Sequence, residues 1–231
     1  MLTSGPLLQM EEFFVNGEKM KLALIFANGE LCIEPENLPL LEADLTLAAD
    51  GGSRHCQELD LLPDILIGDL DSTPPALVDE WRKRGVLILD HPVRKDQTDL
   101  ELALLEAQNQ GADQILVYGA VGGRWDMTFA NLMLLAHPEL QAEVSLICGK
   151  EIIQILHPGE TLNLTGHPGE IVSIIPLAPG ASTITTENLE YPLRSESLEF
   201  GSSRGISNQL AANQASIHLE QGLISVVHTR S

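Results

Sequence analysis

Two aspartates with DxD spacing, Asp69 and Asp71, follow the apolar run 65–67. Open α/β sheets bind ligands outside the carboxyl ends of their strands, so this pair is a candidate ligand site. Two carboxylates 4 Å apart repel by about 4 kcal/mol at an effective dielectric near 20. A divalent cation relieves that repulsion, and oxygen ligands alone favour Mg²⁺. The alternative is that one aspartate caps the next helix and the other is solvated, and the pair alone does not decide.

Two further acidic segments also lie where strands are expected to end. Asp96 and Asp99 stand at the junction of a loop and a helix, where ordinary N-capping is the alternative role. Asp50 is followed by Gly51 and a second glycine, whose small size lets the backbone approach a ligand. Taken alone, this segment is also compatible with a simple turn.

A glycine-rich loop precedes another predicted helix and contains Gly122, Gly123, Arg124 and Asp126. Backbone N–H groups and the helix dipole at such a junction suit an anion, and the Arg124 guanidinium suits phosphate. The loop is neither a GxxxxGK[ST] phosphate loop nor a clean GxGxxG fingerprint. The alternative is a tight turn with an exposed arginine.

The elements that must position these residues alternate between strand and helix up to residue 149. Short runs rich in Val, Ile and Leu predict buried strands, and apolar residues three and four apart predict helices between them. Helices are predicted over 75–84, from the Thr98 cap onward, and around the stripe Phe129, Leu132, Met133 and Ala136. The predicted strands are 21–27, 45–49, 64–68, 86–89, 114–118 and 143–147.

We therefore expect an α/β protein: a mainly parallel N-terminal sheet domain and a C-terminal all-β, sandwich-like domain. The expected divisions are a flexible lead-in over 1–20, an α/β domain over 21–149 and a β domain over 150–231. In a parallel sheet the acidic strand ends and the glycine loop meet at one edge. Such a cluster favours Mg²⁺ with a nucleotide, and phosphoryl transfer as its chemistry.

Composition excludes several classes of protein. The net charge of −20 argues against binding to duplex nucleic acid, which requires a basic face. The longest apolar run, 22–27, is far shorter than the ~20 residues of a membrane helix, so no membrane association is expected. With no secretory signal and three scattered cysteines, we expect a cytoplasmic protein without a disulfide scaffold.

The motifs together resemble those of the thiamin pyrophosphokinase family. They are ADGG at 49–52, PDILIGDLDS at 63–72, KDQTD at 95–99 and GAVGGRWDM at 119–127, and GISN at 205–208 extends the match into the β domain. Two positions depart from the family pattern. Met127 stands where the family usually has histidine, and Asn188 replaces a glycine. The second change is mild, because asparagine tolerates the left-handed conformation.

The resemblance implies transfer of the terminal diphosphate of ATP to the hydroxyethyl oxygen of thiamin, with release of AMP. It also implies a homodimer whose thiamin site lies between the α/β domain of one subunit and the β domain of its partner. The implied Mg²⁺ ligands are Asp69, Asp71 and Asp99 with help from Asp96, and Asp71 or Asp99 is the candidate base. The implied ATP-binding residues are Asp50, Gly51, Gly122, Gly123, Arg124 and Asp126.

For thiamin, the resemblance implies hydrogen bonds from Ser207 and Asn208, for which a plain β-turn is the alternative. Tyr191 is a candidate to stack on a thiamin ring, with packing inside a strand as the alternative.

Two other functions fit the motifs. A haloacid-dehalogenase-like phosphatase would use Asp69 as its nucleophile, since residues 69–73 match DxDx[TV]. A non-catalytic nucleotide- or thiamin-binding regulator would bind without producing AMP.

Overall fold

The computed structural model describes residues 14–15, 18–33, 43–179 and 181–231. The chain divides into two compact units, Met1–Gly149 and Lys150–Ser231. Most of the expected lead-in, residues 1–13 and 16–17, lies outside the described residues. Within it, β1 (Phe14–Val15) and β2 (Glu18–Lys19) pair as a short antiparallel ladder.

The first unit contains a parallel sheet. Its described strands are β3 (Leu22–Phe26), β4 (Leu45–Ala49), β5 (Ile65–Gly68), β6 (Leu87–Asp90), β7 (Gln114–Tyr118) and β8 (Glu143–Cys148). Their spatial order is β8-β7-β3-β4-β5-β6, and every adjacent pair is parallel. The predicted mainly parallel α/β sheet is confirmed.

Burial explains the apolar runs of the central strands. Every residue of β3 and β5 is buried, as is every residue of β4 except Thr46. Strands covered on both faces need apolar side chains on both, which removes the alternation seen in half-exposed strands. β6, at the edge of the sheet, has no fully buried residue.

Four α-helices connect these strands in the described part of the unit. They are α1 (Ser53–Glu58), α2 (Pro75–Lys83), α3 (Asp99–Asn109) and α4 (Trp125–Leu134). The sequence pattern did not predict α1, which follows a 3-10 turn over Asp50–Gly52. The Thr98 hydroxyl accepts a hydrogen bond from the Glu101 N–H at 3.2 Å, so the predicted cap of α3 is present. None of the described helices is long and apolar enough to cross a membrane.

The expected apolar stripe on α4 is present but is not buried. Phe129 and Met133 are 61% and 44% exposed, and the only buried residue of the helix is Asn131. Periodicity correctly predicts the helix, but not whether another element of the unit covers that face.

The order of the strands places a topological switch beside β3. From β3 the chain adds β4, β5 and β6 on one side, and then returns to add β7 and β8 on the other. The connections that follow β3 and β7 therefore lead to strands on opposite sides of this point, which is the usual ligand position in such sheets.

The second unit contains only strands and turns among its described residues, which confirms the all-β prediction. One antiparallel sheet has the order β10-β15-β12-β13 and the other the order β14-β11-β16-β9. Apolar side chains from both sheets, such as Ile174, Ile184 and Ile217, form a single buried cluster. The strands are β9 (Glu151–Leu156), β10 (Thr161–Thr165), β11 (Ile171–Pro176), β12 (Ala181–Glu187), β13 (Glu196–Glu199), β14 (Asn208–Gln209), β15 (Gln214–Gln221) and β16 (Ile224–Thr229).

Removing the cap of α3 tests the local account of this helix. Thr98→Ala leaves the Glu101 N–H without its acceptor and is expected to cost about 1 kcal/mol of unfolding free energy. For a chain of this size that lowers the melting temperature by roughly 2–4 °C. Thr98→Ser keeps the hydroxyl and should melt close to the wild type; equal melting of Thr98→Ala and wild type would contradict the capping role.

Candidate active site

Three carboxylates meet at the carboxyl edge of the parallel sheet. Asp50 follows β4, Asp69 follows β5, and Asp99 is the first residue of α3. Each offers an oxygen within 4.8 Å of the other two. Asp50 is buried at 5% exposure, whereas Asp69 and Asp99 are half-buried. We call Asp50, Asp69 and Asp99 the carboxylate cluster.

Gly68 permits this close approach. A Cβ atom at residue 68 would lie 2.9 Å from the Asp50 Cβ and 3.0 Å from an Asp99 oxygen, and the φ of Gly68 is +146°. Only glycine combines that backbone conformation with so little space. The glycine that ends β5 therefore allows carboxylates from two other segments to converge beside it.

The segment after the DxD pair holds Asp50 in place. The Ser72 N–H donates to Asp50 Oδ1 at 3.3 Å, and the Thr73 hydroxyl donates to the Asp50 carbonyl at 3.0 Å. Burial raises the pKa of Asp50 above its ordinary value, although hydrogen bonds from Ser72 and from the Gly51 backbone oppose the shift. Asp50 is therefore a desolvated carboxylate held in a fixed orientation.

Among the described residues, Lys95 forms the ion pairs with this cluster. Its Nζ lies 2.9 Å from Asp99 Oδ1 and 3.8 Å from Asp69 Oδ2. Burial alone would lower the pKa of Lys95, but the hydrogen bond and charge of Asp99, with the charges of Asp69 and Asp50, raise it. Sequence reasoning assigned Lys95 no role, although it lies in the KDQTD segment.

Asp71 and Asp96, both expected near the metal, lie outside the carboxylate cluster and are exposed. The Asp71 N–H donates to Asp69 Oδ1 at 3.3 Å, and the Ser72 hydroxyl donates to Asp71 Oδ1 at 2.9 Å. The structure therefore brings together two of the four expected metal ligands, Asp69 and Asp99, and adds Asp50.

The glycine loop between β7 and α4 forms the other side of the site. Gly122 and Gly123 have φ of +89° and +69°. The Gly123 N–H donates to Glu30 Oε1 at 3.1 Å, and the exposed Arg124 pairs with Asp126. The hydrogen bond and charge of Arg124 lower the pKa of Asp126.

A cleft of about 950 Å³ contains both sides of the site, and all of its lining residues belong to the first unit. It is lined by the carboxylate cluster, Lys95, Gly122, Gly123 and Arg124, whereas Gly51, Asp71, Asp96 and Asp126 are not among the lining residues. The lining also includes Met127, and Arg54, His55 and Glu30, to which sequence reasoning assigned no role. Glu30 follows β3, so the same rule of strand ends could have found it.

In the second unit, Asn208 binds backbone rather than standing free. Its Oδ1 accepts the Tyr191 N–H at 3.0 Å, and its Nδ2 donates to the Tyr191 carbonyl at 2.8 Å. Tyr191 is 68% exposed, so the alternative of packing inside a strand does not apply. Ser207 is exposed with a φ of 59°, and Asn188, which replaces the family's glycine, has a φ of 57°.

The donor set is suited to a hard divalent cation bound to phosphate. The cluster offers only oxygen atoms, which Mg²⁺ prefers, and its mutual repulsion falls when a cation binds. The glycine loop offers backbone N–H groups and the Arg124 guanidinium to an anion in the same cleft. These are the parts that a phosphoryl-transfer site requires.

Comparison with known proteins assigns the chain to a family. Residues 39–148 match the model described as "Thiamin pyrophosphokinase, catalytic domain", and residues 159–224 match "Thiamin pyrophosphokinase, vitamin B1 binding domain". The chain belongs to the thiamin pyrophosphokinase family. It is accordingly an enzyme of the thiamin diphosphokinase type.

Relatives of known name agree with this family. A thiamine pyrophosphokinase of Bacillus subtilis is 27% identical over 91% of this chain and 99% of its own length. Thiamine pyrophosphokinase 1 of Arabidopsis thaliana is 28% identical over 88% of this chain and 85% of its own. The crystal structure of the thiamine pyrophosphokinase from B. subtilis superposes with a TM-score of 0.80 at 25% identity, covering 91% of this chain and 100% of that one.

The two alternative functions find no support in these comparisons. Both matched models describe thiamin pyrophosphokinase domains, not a haloacid-dehalogenase-like phosphatase or a binding-only regulator. The DxDx[TV] pattern at 69–73 lies inside the segment that matches the catalytic-domain model, and its Ser72 and Thr73 donate hydrogen bonds to Asp50.

Replacement of Asp50 tests the electrostatics of the carboxylate cluster. In the folded protein the pKa of Asp50 is raised, so its ionisation at neutral pH opposes folding. In EDTA at pH 7, Asp50→Asn should therefore have a higher melting temperature than wild type.

The difference should narrow as the pH falls through the raised pKa, because wild-type Asp50 then takes up a proton. Melting curves between pH 5 and pH 8 measure this trend. A lower melting temperature for Asp50→Asn at pH 7 would show that the carboxylate stabilises the protein by itself.

Proposed function

We propose that the chain transfers the terminal diphosphate of ATP to the hydroxyethyl oxygen of thiamin, releasing AMP and thiamin diphosphate. The observation that carries the proposal is the carboxylate cluster facing the glycine loop and Arg124 in one cleft. The matches to both domain models of the thiamin pyrophosphokinase family support the choice of thiamin as acceptor.

Asp69 and Asp99 are the proposed ligands of Mg²⁺, with Asp50 beside them and Asp71 and Asp96 at the margin. The support is the 4.8 Å grouping of the first three carboxylates. A bound Mg²⁺ would neutralise charge on the transferred phosphates. Lys95, already in contact with Asp99 and Asp69, adds positive charge on the same side.

ATP is the proposed co-substrate, and its phosphates would lie against Gly122, Gly123 and Arg124. Backbone N–H groups at the start of α4 and a planar guanidinium both favour a phosphate oxygen. Gly51, beneath the Asn28 side chain, and Asp126, paired with Arg124, complete the proposed nucleotide-binding set.

The reaction forms a bond between the thiamin oxygen and the β-phosphorus and breaks the bond from that phosphorus to the α,β-bridging oxygen. The hydroxyl proton must pass to a base. Asp71 is the better candidate than Asp99, because it lies outside the cluster and a carboxylate bound to a metal is less basic.

Thiamin is proposed to contact Ser207, Asn208 and Tyr191 of the second unit. Exposure of the Tyr191 ring suits stacking on an aromatic ligand. The hydrogen bonds of Asn208 to Tyr191 indicate that Asn208 acts partly by holding that tyrosine. We propose a homodimer in the cytoplasm, in which the second unit of one subunit completes the site of its partner.

The activity is tested directly by incubating the purified protein with ATP, Mg²⁺ and thiamin. AMP and thiamin diphosphate should appear in equal amounts, and neither should form when EDTA replaces Mg²⁺. Release of ADP, or of phosphate without thiamin diphosphate, would contradict the proposed reaction.

Asp71→Asn tests the proposed base. The variant should fold normally, because Asp71 is exposed, and lose about 10²–10⁴-fold in turnover, the usual range for a general base. Glu80→Gln, an exposed change on α2, is the matched control and should keep full activity. Normal turnover of Asp71→Asn at saturating ATP would remove Asp71 from the mechanism.

Mixed dimers test whether the thiamin site is shared between subunits. Asp71→Asn and Asn208→Ala are each expected to be inactive. When they are mixed and allowed to exchange subunits, half of the dimers are hybrids with one intact site. The mixture should regain about a quarter of wild-type activity if sites are shared. No regain, with subunit exchange verified, would place each site within one subunit.

A further inference from the structure

Glu30 already occupies part of the glycine loop. Its Oε1 accepts the Gly123 N–H at 3.1 Å. A Cβ on Gly122 would lie 2.7–2.8 Å from the Cβ, Cγ and Cδ atoms of Glu30, so the whole side chain crosses Gly122. The carboxylate therefore rests on the same backbone that the proposed function assigns to ATP phosphate.

The backbone holds Glu30 in that position. Beyond the end of β3, the Gly29 N–H donates to the Gly119 carbonyl at 2.6 Å, and the Glu30 N–H donates to the Val121 carbonyl at 2.9 Å. These bonds extend the pairing of β3 with β7 into the glycine loop. They place residue 30 beside the loop, at the topological switch of the sheet.

The position of Glu30 also adds a further carboxylate to a cleft that already contains the carboxylate cluster. Glu30 lines the same cleft as Asp50, Asp69 and Asp99. A phosphate oxygen bonded to the Gly123 N–H would stand where the Glu30 carboxylate now stands, and two like charges cannot share one donor. The loop can accept phosphate only if Glu30 moves aside.

We propose that Glu30 is an internal anion that competes with the phosphates of ATP for the Gly123 N–H and thereby weakens nucleotide binding. The proposal rests on the proposed function, since it concerns the same phosphate position. A bound nucleotide would displace the Glu30 carboxylate from the Gly123 N–H. The carboxylate would then swing toward solvent, where it is already exposed.

The test measures binding of α,β-methylene-ATP with excess Mg²⁺ by calorimetry, using the full chain. This analogue cannot react, because the bond that diphosphate transfer breaks is replaced by a methylene bridge. Glu30→Gln keeps the shape of the side chain and removes its charge. Glu58→Gln is the matched control, because Glu58 lines the same cleft but makes no contact with the glycine loop among the described hydrogen bonds.

Glu30→Gln should bind the analogue about fivefold more tightly than wild type, the factor for removing one like charge about 4 Å away in a water-like dielectric. Glu58→Gln should change the affinity by less than about twofold, because Glu58 lies farther from the Gly123 N–H. Both variants should melt within about 2 °C of wild type, since exposed substitutions rarely change stability by more than a few tenths of a kcal/mol.

Weaker binding by Glu30→Gln would show that the carboxylate supports the loop and would overturn the proposal. An equal gain in affinity for Glu30→Gln and Glu58→Gln would also overturn the proposal. It would show that any negative charge in the cleft weakens binding, whether or not it contacts the glycine loop. If wild type and Glu30→Gln bind the analogue with equal affinity, the proposal for Glu30 is wrong and the proposed function is unaffected. A wild type that does not bind it rejects the proposed function as well.

Discussion

Repulsion among Asp50, Asp69 and Asp99 is the constraint on which the rest of the site depends. The parallel sheet places the ends of β4 and β5 side by side, and α3 begins beside them, so the three carboxylates have oxygens within 4.8 Å of one another. Water cannot fully screen the group, because Asp50 is buried. Positive charge must therefore be present nearby, and Lys95 provides part of it.

On the opposite side of the cleft, groups that attract anions are paired with carboxylates. There the groups that attract anions are a backbone N–H and a guanidinium, and each has a carboxylate partner, Glu30 and Asp126. In the proposed function, binding of magnesium and nucleotide would exchange these internal partners for the ligand on both sides of the cleft. The affinity for ligand then depends on the difference between two free energies, that of the ion pairs within the protein and that of the pairs made with the ligand. Replacing a single charge in the cleft can therefore change the affinity without altering the fold.

Much of this arrangement could be predicted from sequence, because the carboxyl ends of parallel strands meet at one edge of a sheet and form its ligand site. Apolar runs buried on both faces predicted the parallel sheet, and that sheet predicted that Asp50, Asp69 and Asp99 would meet. The separation of Asp71 from the cluster could not be predicted from spacing. Leu70 adopts a left-handed φ of 61°, which few leucines do, and it redirects the chain between the two aspartates.

Other features had too little pattern to be predicted. Glu30 is a single charge whose partner, Gly123, lies in a distant segment. Lys95 is a single charge in the loop before α3, and nothing in its spacing distinguishes it from a solvated lysine. Tyr191 lies between strands in sequence, and only the fold shows its ring to be exposed. The α4 stripe shows that a periodic pattern defines a face but not its partner. The matches to both thiamin pyrophosphokinase models support the motif reasoning that led to the site.

The claim that the carboxylate cluster is a metal site is tested most directly by Mn²⁺ titration followed by electron paramagnetic resonance. Mn²⁺ substitutes for Mg²⁺ at oxygen sites and gives a signal that bound ions lose. In the presence of α,β-methylene-ATP, wild type should bind Mn²⁺ at least about tenfold more tightly than Asp99→Asn, a loss comparable to that of altering a ligand's environment. Asp79→Asn, on the exposed face of α2, should match wild type. Equal Mn²⁺ affinity for wild type and Asp99→Asn would contradict the assignment.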